Sequence, residues 1–231
     1  MIPDKDLFIV TSSIKPVIGM FNAEQRLKQT IETLQNVRLR LPESIIVFAD
    51  CSVFPLTDEE KSVLSPMCNL FMDLSAEPNT YNFSKNGMKS HAENAMLFAI
   101  LMTFKNHPQV SQILPSVRRI FKLSARSILD KEFDISHYEN LFGKFVFKKR
   151  IPTWMNGSKP GKDHLYITRL FSFCPSLIDT YLTVIQNNMA LLDYLDTEHA
   201  HFVNVPQKYM VEFDTIYCSG ILAGNGEIEY Y

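Results

Sequence analysis

A chain of 231 residues with 46% hydrophobic and 21% charged side chains can bury a large core, and its composition excludes the disordered and fibrous classes. A formal net charge of −2 argues against a broad nucleic-acid footprint. No apolar run approaches the ~18 residues of a membrane span, and MIPDKDLFIV carries charges where a secretory leader needs an apolar stretch. A cytoplasmic protein is expected. Cys51, Cys68, Cys174 and Cys218 form no CxxC pair and sit in apolar stretches, so they read as reduced cysteines rather than zinc ligands.

DLFIVTSSI (6–14) is a short apolar run ending in hydroxyls, which predicts a buried strand. A helix follows. Asn22 and Gln25 have capping-box spacing, Leu27, Ile31 and Leu34 share one face, and Pro42 stops the run. SIIVFADCS (44–52) is a second strand with Asp50 near its end. Thr57 and Glu60 repeat the capping box, and CNLFMDLS (68–75) is a third strand. KSHAENAMLFAILMTF (89–104) is apolar nearly all round after its first turns, so this helix is buried.

In RRIFKLS (118–124), Phe121 and Leu123 alternate with Lys122 and Ser124, as in a strand with one apolar face. A dense set of charges follows: Arg126, Asp130, Lys131, Glu132 and Asp134. KFVFKKRI (144–151) and LYITRLFSF (165–173) read as strands. Residues 176–195 read as one long helix, with Ser176 and Asp179 in capping-box spacing and DTEHAHF at its end. MNGSKPGKDH (155–164), rich in Gly, Pro and Lys, reads as a mobile flap. The order argues for an α/β sheet in one domain over 1–231, parallel first and mixed later.

Ligands of open α/β sheets lie at the carboxyl ends of the strands. Thr11, Asp50, Lys89 and Arg126 fall there. The first loop, TSSIKPVIG, has no GxGxxG, and no GxxxxGK[ST] occurs. A dinucleotide site and a P-loop are therefore not expected. A nucleotide held by side chains remains, with Asp50 on the ribose or base, or else merely closing a turn. Lys122 and Arg126 would meet phosphates, or else pair at the surface with Asp130 or Glu132. Lys89 is a cation at a helix start, which an anionic ligand would favour and plain solvent exposure also explains. In DTEHAHF, Glu198 could act as a general base, and His199 with His201 has a metal-compatible spacing without evident further ligands. His199 could equally just meet a helix C-terminus.

Six segments in order resemble a family of glycosyltransferase-like proteins of phages, large viruses and bacteria with a GT-A-type nucleotide-sugar fold. They are LFIVTSSI, KSHAENAML with Lys89 and Glu93, IFKLSARSILDKEFD, YITRLFS with Thr168 and Arg169, DTEHAHF, and SGILAGNGEIEYY. The chain departs from that pattern where Ala125 replaces a Gly, Ser127 an aromatic residue, and Leu222 and Gly224 differ from the closing motif, while Gly226 and Glu227 match it. The resemblance implies a GT-A-like (Rossmann-like) mixed sheet flanked by helices. It implies transfer of a sugar from a nucleotide-diphosphate donor to a glycan or glycolipid, in the host cytoplasm if the source is viral.

In that frame Thr11 and Asp50 contact the nucleoside, Lys89, Lys122 and Arg126 the phosphates, and Arg169 the donor or acceptor. Glu198 or Asp196 is the base, supported by His199. Such enzymes usually hold Mn or Mg on an Asp-x-Asp. None is expected in this chain, so Lys122 and Arg126 take over neutralisation, or else Asp130 with a second acid holds the metal. Two other classes stay open: a non-catalytic nucleotide-sugar or carbohydrate-binding module, and a viral structural or assembly protein using its 17 Phe, 9 Tyr and closing EIEYY as an interface.

Overall fold

A computed structural model describes residues 4–153, 163–221 and 227–231. The chain runs β1 (Lys5–Ser12), α1 (Ala23–Arg40), β2 (Ile45–Asp50), α2 (Asp58–Leu64), β3 (Leu70–Asp73), α3 (Pro78–Lys85) and α4 (Lys89–Asn106). After a short turn of helix, α5 (Pro108–Ser111), come β4 (Val117–Ser124), β5 (Ser127–Leu129), β6 (Phe145–Lys148), β7 (Ile151–Pro152), β8 (His164–Leu165) and β9 (Leu170–Phe173). It closes with α6 (Ile178–Met189), α7 (Thr197–Asn204), β10 (Met210–Phe213), β11 (Cys218–Ile221) and β12 (Ile228–Tyr230).

Seven strands form the main sheet in the order β10-β6-β9-β4-β1-β2-β3. β1, β2, β3 and β4 are parallel neighbours, whereas β9 runs antiparallel between β4 and β6. The sheet is thus parallel first and mixed later, as the order of elements predicts. A small sheet, β12-β11-β5, stands beside it. Alternation along β1 divides the core. Leu7 and Ile9 pack with α4 and α6 on one face, and Phe8 and Val10 pack with Leu34 and Val37 of α1 on the other.

Both predicted capping boxes form, at Asn22 with Gln25 and at Thr57 with Glu60. The long helix over 176–195 does not form as one piece. Ser176 lies in a tight turn before α6, and α6 has no side-chain cap. The chain turns after Met189, and Asp196 then caps a separate helix, accepting from the His199 amide at 2.9 Å. DTEHAHF therefore opens a helix, which overturns its placement at a helix end and the dipole explanation of His199. The strand expected over 165–173 shortens to β9, with β8 apart from it. The flap over 155–164 and the closing segment at Leu222, Gly224 and Gly226 lie outside the described residues, save Asp163 and His164.

Candidate functional site

The register of the parallel strands sets the site's floor. Thr11 lies opposite Ser124, and Ser12 opposite Asp50, so β1, β2 and β4 end together. Above this edge opens a cleft of about 850 Å³, open solvent included, within the size range of small-molecule sites. The exits of β1 and β4 and the first turns of α1 and α4 form its walls.

Three cations line it: Arg26, Lys89 and Arg126. Arg26 is buried at the first turn of α1, where Nη1 donates to the Ser13 carbonyl at 3.0 Å and Nε has no partner. Burial lowers its pKa. Lys89 opens α4 at the rim, and burial, then Arg26 and Arg126, lower its pKa too. Arg126 stands just past β4 with a buried, unpartnered Nη1. Burial, then repulsion from Arg169 and Arg26, pulls its pKa down to about 10. Arg169 sits beside them, close enough to repel Arg126.

Among the described residues, Glu93 is the one acid that lines the cleft. Its carboxylate is taken by the Lys122 ammonium, which also donates to Ser124 Oγ and the Thr168 carbonyl, each at 2.9 Å. Burial works to raise the Glu93 pKa, but Lys122 overrides it and holds the carboxyl below its usual range. Lys122 is 1% exposed, and an ammonium has three donors, all of them engaged. It has none left for a phosphate, and its acid is Glu93 rather than Asp130 or Glu132. Both expectations for Lys122 are corrected on that ground.

Asp50 is wholly buried. Its oxygens accept from the Ile14 and Ser52 amides at 2.9 Å each, tying the exits of β1 and β2 together. It holds the floor in place and does not line the cleft, so its expected contact with ribose or base is corrected. Thr11, Lys89 and Arg126 do line it.

The α7 cluster lies behind Glu93. Thr168 Oγ1 donates to Glu198 at 3.0 Å. Burial, with repulsion from Asp196 and then Glu93, pushes the Glu198 carboxyl up to about 7. Asp196 bridges to His199 Nδ1 at 2.6 Å, and His199 Nε2 is buried without a partner. None of these three lines the cleft itself. His201 is separate, bonded to Tyr181 and to the Thr197 carbonyl, so the HxH pair does not converge on one point.

A folded-state pKa above the unfolded value of 4.5 means that the native state binds the extra proton. The contribution of Glu198 is fully present below 4.5 and is lost as pH rises through about 7. Urea melts at about pH 5 and about pH 8 should show wild type losing stability relative to Glu198→Gln across that window. Parallel curves for the two proteins would contradict this environment for Glu198.

The described residues bring together no group of three or more His, Cys, Asp or Glu that could hold a metal. Asp130 accepts from Ser219 Oγ at 2.7 Å on the small sheet, away from the cleft lining. The expectation of no Asp-x-Asp is corrected by Asp4-Lys5-Asp6, but this one opens β1 at the opposite end of the sheet, where Asp6 pairs with Arg118. The described residues therefore do not fit the Mn or Mg site of such enzymes.

One site residue escapes the sequence reading, and a second is named in it without a role. Arg26 belongs to the stripe Arg26, Thr30, Thr33, Leu34 and Val37 that α1 buries, and the only sign of it was that polar inward periodicity. Glu93 stands four residues after Lys89, one turn on and on the same face.

No protein-family model matches the sequence, and no curated protein matches it. Solved structures do. Core-mannan synthase A from Aspergillus fumigatus, in an Mn/GDP form, is 9% identical with a TM-score of 0.51, over 99% of this chain and 81% of that one. A mannosyltransferase from S. cerevisiae is 9% identical with a TM-score of 0.50, over 86% of this chain and 65% of that one. The fold, a mixed seven-stranded sheet flanked by helices, is that of GT-A-type glycosyltransferases. No helix among the described residues is long and apolar enough to cross a membrane.

Proposed function

We propose that the cleft holds the diphosphate of a nucleotide sugar, and that the protein is a glycosyltransferase acting on a glycan or glycolipid hydroxyl. One observation carries this reading. Arg26, Lys89 and Arg126 crowd one cleft, with Arg169 beside them, against a single acid that Lys122 already neutralises. Cations kept close at the expense of mutual repulsion need an anion, and a diphosphate supplies one. The strand-edge position is where α/β sheets bind ligands, and the fold shared with the mannan synthase and the mannosyltransferase agrees with the reading.

In the reaction the acceptor oxygen bonds to the anomeric carbon of the donor sugar. The bond from that carbon to the diphosphate oxygen breaks, and the electron pair leaves with the nucleoside diphosphate. Arg26, Lys89 and Arg126 stabilise the charge that develops on the leaving group. Thr11, at the end of β1, faces the nucleoside. The acceptor proton passes by way of Glu93, which lines the cleft, to Glu198, which does not. Glu198, titrating near 7, is the better resting place for it. Asp196 and His199 fix the start of α7 and with it the Glu198 backbone. No step is assigned to a metal.

Thermal unfolding against uridine, guanosine and thymidine diphosphate sugars, in EDTA and in manganese, tests this. A ligand at about 100 times its Kd adds about 2.7 kcal/mol of native-state stability. One donor class is expected to raise the midpoint, and to do so equally in EDTA. No shift from any of them sinks the proposal, and a shift only with manganese sinks the metal-free account.

A further inference from the structure

A second groove, of about 410 Å³ with open solvent included, lies between α1 and the small sheet. Gln29, Glu32 and Thr33 of α1 form one wall, and Ile128, Ile221 and Ile228 give the other an apolar surface. Arg126 lines both this groove and the cation-rich cleft, so the two meet at one guanidinium. Gln29 Oε1 is buried and accepts from nothing.

We infer that this groove seats a neutral saccharide, the acceptor, against the donor in the neighbouring cleft. A buried carbonyl oxygen without a donor is costly unless a ligand supplies one. Hydroxyl groups donate and accept, so they can satisfy Gln29 Oε1 and take a hydrogen bond from Arg126 together. A guanidinium has five N–H donors in a fork, enough to serve a phosphate on one side and a hydroxyl on the other. The isoleucines match the C–H face of a sugar ring. Glu32, exposed at the rim, accepts further hydroxyls and repels anions, which separates this groove from the diphosphate cleft. The inference rests on the donor-site reading for its name as acceptor site, but its ligand chemistry stands on the groove alone.

Saturation-transfer NMR on the full chain, with the methyl glycosides of mannose, galactose, xylose and N-acetylglucosamine, reads the groove directly. Uridine and guanosine diphosphates and inorganic phosphate serve as competitors. At least one glycoside should bind, resist displacement by all three anions, and weaken roughly tenfold in Gln29→Leu and in Ile228→Ser, as loss of one hydrogen bond or one apolar contact implies. Diphosphate binding should be unchanged in both variants. The inference is overturned if no glycoside binds, if phosphate displaces it, or if its affinity survives both substitutions. Glycoside binding that is lost in the variants, in a protein that binds no diphosphate, would uphold the groove as a saccharide site and defeat the donor reading instead.

Discussion

Arg126→Gln is expected to leave the ligand-free protein as stable as wild type or more so, while nucleotide-sugar binding falls roughly 10- to 100-fold. The two effects have opposite signs because they draw on the same charge. In the cleft the Arg126 guanidinium is desolvated and repelled by Arg169 and Arg26, and its pKa is pulled down to about 10. It has no acidic partner among the salt bridges of the described residues. Removing that charge relieves Lys89, and ends the repulsion between Arg126 and Arg26. With a diphosphate present the charge makes charge-assisted hydrogen bonds, worth about 1.5–3 kcal/mol, and about 1.4 kcal/mol is a factor of ten in affinity. Chemical denaturation without ligand and isothermal titration with the donor identified by thermal shift measure the two sides. A large loss of stability with intact ligand affinity would make Arg126 a structural residue and remove the centre of the proposed site.

The parts of the fold legible in the sequence are those governed by local rules. β1 and β2 are apolar runs of strand length, and the caps at Asn22 and Thr57 are each set within four residues of chain. What escaped is governed by distant pairing. β5, β11 and β12 are strands of three or four residues, too short to show a period, and they exist because Ser127–Leu129 meets Cys218–Gly220 across the chain. The split between α6 and α7 was hidden because the apolar pattern continues through Leu191, Leu192 and Leu195, of which Leu192 and Leu195 are buried from a turn.

The site divides the same way. Position at a strand end or helix start finds Thr11, Lys89 and Arg126. It cannot tell a side chain that faces the cleft from one that braces it. Asp50 and Lys122 have the sequence signature of ligand contacts, but backbone amides and Glu93 consume them. Arg26 shows the converse. It sits among polar residues on a helix whose face Leu27, Ile31 and Leu34 seemed to define, yet the buried stripe of α1 begins at Arg26.

Lys122→Met should cost both stability and nucleotide-sugar binding, and adding Glu93→Gln should restore the binding. Lys122 is 1% exposed and holds Glu93, Ser124 and the Thr168 carbonyl at once. Removing one member of a buried pair strands the other and costs about 3–5 kcal/mol, which for a chain of this size lowers the midpoint by roughly 6–20 °C. The effect on binding has a separate cause. Without its ammonium partner, Glu93 is a free carboxylate lining a cleft of cations. Arg126 and Arg169, both already within its electrostatic reach, would turn to it and compete with the diphosphate. Glu93→Gln removes that competitor, so the double variant should bind nucleotide sugar far better than Lys122→Met alone and recover part of the lost stability. This double-mutant cycle separates two roles for Lys122. If the double variant binds no better than the single one, Lys122 touches the phosphates directly. If binding returns, its work is to keep Glu93 from neutralising the arginines that the donor needs.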